Sequence, residues 1–273
     1  MSEREPLARV LARVEKPGRY VGGEWNEVRK DPARVRTKVA LAFPDAYEIG
    51  MSYLGQKILY ALLNKDREVL AERVFAPWPD FERELRAAGL PLASLENAIP
   101  LREFDLVGFS LLYELNYSNV LTILDLGGVP LTSAERGEGD PWVIAGGPAA
   151  FNPEPVADLF DAVFLGDGEE GFPEIVRAVS GFRDRGLARA EALRELAAIE
   201  GVYVPSLYRV EAEPGSPLVV PRAGPGAPAA VRKRLAKDFA RSFFPERIVV
   251  PSLRVVFDRV AVEAARGCPQ SCR

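Results

Sequence analysis

Residues 38–64 have the sequence KVALAFPDAYEIGMSYLGQKILYALLN, in which a short apolar run, a polar loop and an amphipathic segment follow one another. Lys38–Phe43 is continuously apolar after its first residue, as expected of a strand that is buried on both faces. Leu54–Asn64 has helical spacing, and its apolar side consists of Leu54, Ile58, Leu59 and Leu62. This stretch therefore predicts a strand–loop–helix unit of the kind that builds parallel sheets.

The same unit recurs along the chain up to about residue 200. Further strands are predicted at Glu68–Phe75, Asp105–Ser110, Trp142–Ala145 and Ala162–Leu165. Further helices are predicted at Phe81–Ala88, Asn116–Leu126, Phe172–Val179 and Ala188–Ala198. Alternation of this kind predicts an α/β fold, a doubly wound five-stranded parallel sheet with helices on both faces.

The pattern changes after Gly201. Val202–Val210 and Pro217–Pro221 predict an antiparallel hairpin, and residues 222–229 have the Pro, Gly and Ala content of an exposed linker. A basic helical segment follows, and Arg259–Ala265 predicts the first strand of a new unit. We therefore divide the chain into an N-terminal extension (1–37), a sheet domain (38–200), a hairpin and linker (201–259) and the start of a further domain (260–273).

Composition excludes several classes of function. The chain has no histidine, so Ser/His/Asp and Cys/His catalysis and His-ligated zinc are ruled out within it. The net charge is -4, so we expect no clear nucleic-acid surface. The best candidate for a basic patch is Arg232, Lys233, Arg234 and Lys237, and a run that short is usually a solvated face. No stretch approaches the ~20 apolar residues of a membrane span, and the charged N-terminus has no signal-peptide core. We expect a cytoplasmic protein that does not engage a membrane.

Loops with unusual chemistry follow four of the predicted strands. Because ligands bind beyond the carboxyl ends of strands in an open parallel sheet, these loops are expected to form one rim. Glycine permits close backbone approach, and a serine hydroxyl both donates and accepts hydrogen bonds. The candidate ligand-binding residues on this rim are Asp45, Tyr47, Gly50, Ser110, Leu112, Gly146, Gly147, Gly166 and Glu169.

The order of these loops resembles the cobalamin-binding domain, a flavodoxin-like fold marked by Asp-x-His-x-x-Gly, Ser-x-Leu and Gly-Gly. Asp45, Gly50, Ser110, Leu112 and the Gly146-Gly147 pair stand at those marks, and the resemblance covers about residues 38–200. It implies a pocket for the nucleotide tail of cobalamin. The family's lower cobalt ligand is the His of the first motif, and Tyr47 stands there. A phenol with a pKa near ~10 is a poor neutral ligand, so we expect no histidine-type ligand from the protein.

The chain has two cysteines, Cys268 and Cys272, in the sequence RGCPQSCR that ends at residue 273. This resembles the start of the Cys-x3-Cys-x2-Cys motif of radical S-adenosylmethionine (radical SAM) enzymes. The segments EKPGRYVGGEWN, FPDAYEIGMSYLG and GVYVPSLYRVE resemble one uncharacterised subfamily in which a cobalamin-binding domain precedes the radical SAM barrel. The resemblance implies a [4Fe–4S] cluster held in part by Cys268 and Cys272, and S-adenosylmethionine bound to its open iron. The remainder of that barrel is then the expected partner, the substrate being unknown.

A chain that stops before the third cysteine and the barrel is expected not to cleave S-adenosylmethionine alone. Two other functions stay open. In one, the sheet has lost cobalamin and serves as a docking or substrate-recognition module, which Tyr47 favours. In the other, it is a flavodoxin-like nucleotide or flavin binder, which explains the sheet and the glycines but not the cysteine pair.

Overall fold

A computed structural model describes residues 4–213, 215 and 219–267. In these residues the central sheet has six strands, and a separate hairpin has two more. The strands of the sheet are β1 (Thr37–Phe43), β2 (Val69–Phe75), β3 (Leu106–Ser110), β4 (Trp142–Gly146), β5 (Ala162–Phe164) and β6 (Val202–Tyr203). Their order is β2-β1-β3-β4-β5-β6. The first five in that order run parallel and β6 is antiparallel to β5, so the five-stranded parallel sheet is confirmed and extended by one strand.

Helices cover both faces of this sheet. In the described part of the chain they are α1 (Arg4–Leu11), α2 (Tyr47–Gly50), α3 (Leu54–Asn64), α4 (Pro79–Ala88), α5 (Tyr117–Leu126), α6 (Gly168–Arg185) and α7 (Arg189–Ala197). Side chains alternate between the faces along each strand. In β1, Ala40 and Ala42 pack in the core under α1, α4 and α5. Val39 and Leu41 pack in the core under α3, α6 and α7. The fold is therefore doubly wound, as predicted.

The strand order places a topological switch between β1 and β3. The helix after β1 lies on one face of the sheet and the helix after β3 lies on the other. Their connecting loops consequently diverge, and a crevice opens at the carboxyl edge.

The N-terminal extension packs onto the sheet domain. Val10 and Val14 are buried in the same core as α4. Further along, buried Glu24 pairs with Arg73 of β2 at 2.8 Å. None of the helices that the structure describes is both long and apolar enough to cross a membrane.

Three predictions about the last third of the chain are corrected by the structure. Val202–Val210 is interrupted at Pro205, so its first part joins the sheet as β6. Its second part, β7 (Tyr208–Ala212), forms the predicted hairpin with β8 (Val219–Ala223). The basic segment is extended and has a single 3-10 turn at Phe239–Arg241.

Arg259–Ala265 is not a strand. Val260 and Val262 are 87% and 75% exposed, and none of the described residues pairs with this segment. An isolated segment cannot satisfy its backbone groups as a strand does, because the strand needs a neighbour for its hydrogen bonds.

Candidate functional site

A cavity of about 590 Å³ lies at the carboxyl edge of the sheet, between the first turns of α3 and α6. This volume is within the range of small-molecule sites. Its walls are mainly apolar and come from both helices and from the strands: Leu41, Ile58, Leu59, Ile144, Phe164 and Phe172. Four of its polar lining residues form one ion-paired cluster, Asp167, Glu169, Glu263 and Arg266, so the cavity suits a ligand with an apolar body and polar edges.

Five of the nine predicted rim residues line this cavity. They are Ser110, Gly146, Gly147, Gly166 and Glu169, which end or follow β3, β4 and β5. The parallel arrangement brings them together because the carboxyl ends of these strands meet at one edge. Asp45, Tyr47, Gly50 and Leu112 are not among the lining residues.

Two physical reasons account for the three predicted glycines that line the cavity, Gly146, Gly147 and Gly166. Gly147 has a φ of 104°, and a Cβ there would approach the carbonyl oxygen of Leu111 at 2.5 Å. A Cβ on Gly166 would overlap the carbonyl oxygen of Arg234. At Gly146 the nearest atom to a Cβ would be the carbonyl oxygen of Phe164, at 3.7 Å. Packing within the protein therefore explains Gly147 and Gly166, whereas the missing side chain of Gly146 leaves space that belongs to the cavity.

The predicted residues at the end of β1 and β3 that do not line the cavity are engaged by other parts of the protein. Asp45 accepts a hydrogen bond from the hydroxyl of Tyr113 and one from the backbone N–H of Ala46 at 2.8 Å. A Cβ on Gly50 would overlap the ring of Phe75, so close packing requires this glycine. Leu112 is partly buried against the core under α3.

Tyr47 is 1% exposed and its hydroxyl is part of a buried polar network. The hydroxyl donates to Glu24 Oε1 at 3.0 Å and accepts from the backbone N–H of Ser252 at 3.2 Å. Burial and the charge of Glu24 raise the pKa of Tyr47 well above its ordinary value. The phenol therefore stays protonated, and it connects the N-terminal extension to the C-terminal segment.

The polar end of the cavity is formed by carboxylates around one guanidinium. Arg266 pairs with Glu169 and Glu263, and its Nη1 lies 3.7 Å from Asp167 Oδ1. Tyr53, which starts the turn into α3, also lines the cavity, and burial and the charge of Glu169 raise the pKa of its phenol. Sequence reasoning named Glu169 as a candidate ligand-binding residue, and Arg266 was part of the quoted cysteine motif. It assigned no role to Tyr53, Asp167 or Glu263.

The linker reaches this edge through a backbone bridge to β5. Arg234 donates its N–H to the carbonyl of Leu165 at 2.9 Å and accepts from the N–H of Asp167 at 2.9 Å. Its neighbour Lys233 lines the cavity and lies 5.2 Å from the ring centre of Phe151. Lys233, one residue of the basic run, therefore forms part of the cavity wall on the side of the linker.

Cys268 and Cys272 lie outside the described residues. Within residues 4–213, 215 and 219–267, no three His, Cys, Asp or Glu side chains are grouped as a metal site. The carboxylates around Arg266 are within ion-pair distance of its guanidinium and act as its counterions.

Fold and site together define a doubly wound α/β domain with a ligand-sized cavity at the carboxyl edge of its sheet. The family model of the N-terminal region of radical SAM proteins matches residues 55–205, more than half of the chain. The chain therefore belongs to the radical SAM family, whose reaction uses a [4Fe–4S] cluster and S-adenosylmethionine. No curated protein and no solved structure matches it.

Proposed function

We propose that this chain is the cobalamin-binding region of a cytoplasmic radical SAM enzyme, and that the cavity takes the nucleotide tail of cobalamin. The observation that carries the proposal is the cavity itself. It lies where ligands bind in this fold, and it is lined by the Ser110 and Gly146-Gly147 marks of the resembling domain. The match to the radical SAM N-terminal region supports the wider assignment.

The lining residues fit such a ligand. A benzimidazole-type ring needs flat apolar walls, which Ile144, Phe164 and Phe172 offer. The open position beside Gly146 enlarges the space at the end of β4. The hydroxyl of Ser110 can donate to or accept from a polar edge. Cobalamin, when bound, supplies a cobalt centre that carries a transferable methyl group.

The position of Tyr47 determines whether this chain can supply a ligand to the cobalt of cobalamin. Its hydroxyl is committed to Glu24 and Ser252, and Tyr47 does not line the cavity. The chain also contains no histidine. We therefore propose that cobalamin binds without a protein imidazole below its cobalt. Cys268 and Cys272 are proposed as cluster ligands, with the remainder of a radical SAM barrel as partner.

The deciding experiment is titration of the chain with hydroxocobalamin under anaerobic conditions, followed by gel filtration and the visible spectrum. We expect cobalamin to elute with the protein and to show a spectrum without a lower nitrogen ligand. Gly146→Phe, which fills the cavity, should abolish co-elution, and Gly146→Ala should weaken it. Gly181→Ala is the matched control, because a Cβ there meets no atom within 4 Å and the residue lies away from the cavity.

A cobalamin-free docking module is the second candidate, and the engagement of Tyr47 in the buried network favours it. If the wild-type chain gives the cooperative melting curve of a folded protein but does not retain hydroxocobalamin, the docking module replaces our proposal. A parallel titration with flavin mononucleotide tests the third alternative, because retention of flavin and not of cobalamin would identify a flavodoxin-like binder. If Gly146→Phe left cobalamin binding intact, the cavity would not be the site.

A further inference from the structure

The cavity is lined by two cationic side chains, Lys233 and Arg266, and their charges are balanced differently. Arg266 forms ion pairs with Glu169 and with Glu263. Lys233 forms no ion pair with any residue that the structure describes, and its Nζ lies instead 5.2 Å from the ring centre of Phe151. The charge of Lys233 is therefore available to a group that enters the cavity.

The surroundings of Lys233 suit an anion with several acceptor oxygens. The ammonium group has three N–H donors, and lysine binds phosphate as a point charge in many proteins. Phe151 also lines the cavity, and its ring is within the ~6 Å over which a cation is attracted to an aromatic face. This contact keeps the ammonium group beside the cavity without using any of its charge in an ion pair.

The backbone next to Lys233 is fixed to the sheet domain. Arg234 forms a parallel β-bridge with Gly166, and its Nη1 donates to Glu174 Oε2 of α6 at 2.6 Å. A Cβ on Gly166 would overlap the carbonyl oxygen of Arg234, so this glycine makes the bridge possible. Because Lys233 directly precedes Arg234, the bridge limits how far the lysine can move from the cavity wall.

The other charged groups of the cavity indicate where an anion can lie. Asp167, Glu169 and Glu263 surround the single guanidinium of Arg266, so negative charge exceeds positive charge in that cluster. Like charges repel, and an anionic group is therefore disfavoured beside these carboxylates. The favourable position for it is beside Lys233.

We propose that Lys233 contacts the ligand of the cavity and that the group it binds is a phosphate. This inference rests on the proposed function in taking the cavity as the ligand site, and it deepens that function because the nucleotide tail of cobalamin carries a phosphodiester. Lys233 lies outside residues 55–205, which match the radical SAM N-terminal region. The linker is thus part of the ligand-binding unit.

The test compares the wild-type chain with Lys233→Gln and Lys233→Arg, using inorganic phosphate and hydroxocobalamin as separate probes. Phosphate binding is measured from the width of its phosphorus NMR line at low ionic strength, and cobalamin binding by absorbance titration. We expect Lys233→Gln to weaken both by about tenfold, since it removes a charge-assisted hydrogen bond. Lys233→Arg should lose less, because it keeps the charge.

Lys237→Gln is the matched control, because Lys237 belongs to the same basic run but does not line the cavity. Both lysines are exposed, so all variants should keep the melting curve of the wild type. The inference is overturned if the wild-type chain binds no phosphate, if Lys233→Gln leaves phosphate binding unchanged, or if Lys237→Gln weakens it equally.

The two probes separate this inference from the proposed function. Phosphate binding that depends on Lys233, in a chain that retains no hydroxocobalamin, keeps the phosphate contact and rejects cobalamin as the ligand. Hydroxocobalamin binding that is equal in wild type and Lys233→Gln, without phosphate binding that depends on Lys233, rejects the phosphate contact alone.

Discussion

At the scale of single residues, Tyr47 occupies the ligand position of a sequence motif, but its side chain is buried away from the cavity. It stands where the resembling family has its cobalt ligand, directly after β1. Its ring packs edge-on against Phe75 with centroids 5.5 Å apart, and its hydroxyl joins Glu24 to Ser252. Tyr47 therefore has a structural role that accounts for its burial without a ligand.

This role gives a prediction for Tyr47→Phe. Removing the hydroxyl leaves the Ser252 N–H and one Glu24 oxygen without their partner, which should lower the free energy of unfolding by about 1–3 kcal/mol. Affinity for hydroxocobalamin should be unchanged, since Tyr47 does not line the cavity. Urea unfolding and the titration measure the two effects. Tyr117→Phe is the control, because its hydroxyl has no hydrogen-bond partner among the described residues, and a loss of cobalamin binding in Tyr47→Phe would contradict our placement of the site.

At the scale of elements, a buried charge network joins the N-terminal extension to the edge strand β2. Arg73 is 2% exposed and donates to Glu24 at 2.8 Å and to Glu96 at 2.6 Å. Burial raises the pKa of both carboxyl groups, although the charge of Arg73 opposes this. Removing one partner of such a network is costly because it leaves a buried charge uncompensated. The extension is therefore held by charge pairing as well as by the apolar contacts of Val10 and Val14.

The raised pKa of Glu24 makes this attachment dependent on pH. A carboxyl group whose pKa is higher in the folded state stabilises the fold below its unfolded pKa, and this contribution is lost as the pH rises through the folded value. Glu24→Gln should therefore destabilise the protein most near pH 4.5, the ordinary glutamate value, and less toward neutrality. Urea unfolding of both proteins across this interval checks the trend. A difference that grows with pH would show that Glu24 of the folded protein is charged across the whole interval. The exposed Glu195→Gln variant is the contrasting control: the hydrogen bond from Arg185 lowers the pKa of Glu195, so any difference there should grow with pH.

At the scale of the whole molecule, the burial of side chains decreases from the central strands to the C-terminal segment. Residues of β1, β3 and β4 such as Val39, Val107 and Val143 have no exposed surface. The hairpin of β7 and β8 stands as its own two-stranded sheet with Val210 and Val219 mostly exposed. Small isolated hairpins are marginally stable in water. We therefore expect high local stability in the central sheet and low local stability in the peripheral segments.

Hydrogen exchange should reproduce this gradient. We expect the amides of β1, β3 and β4 to exchange only through global unfolding, and those of β7, β8 and residues 256–265 to exchange fastest. Binding of a cavity ligand should slow exchange in the first turns of α3 and α6. Protection in residues 256–265 equal to that of β1 would contradict the gradient. The Gly146→Phe variant serves as the control for effects that depend on the cavity.

The sequence by itself predicted the five parallel strands and the helices between them, and it placed five of the nine rim residues at the ends of β3, β4 and β5, where they line the cavity. These features depend on local patterns, since periodicity reports which faces are buried and parallel strands bring their carboxyl ends to one edge. Gly146 and Gly147 could be located in this way because they end and follow β4.

Only the tertiary structure decided the roles of Tyr47, Arg266 and the last segment. The hydroxyl of Tyr47 finds its partners 23 residues before and 205 residues after it, and Glu169 meets Arg266 across 97 residues. Such pairings depend on how separate elements pack, which no local pattern contains. Arg259–Ala265 has the composition of a strand, but a strand forms only where a neighbour accepts its hydrogen bonds, and none of the described residues provides one.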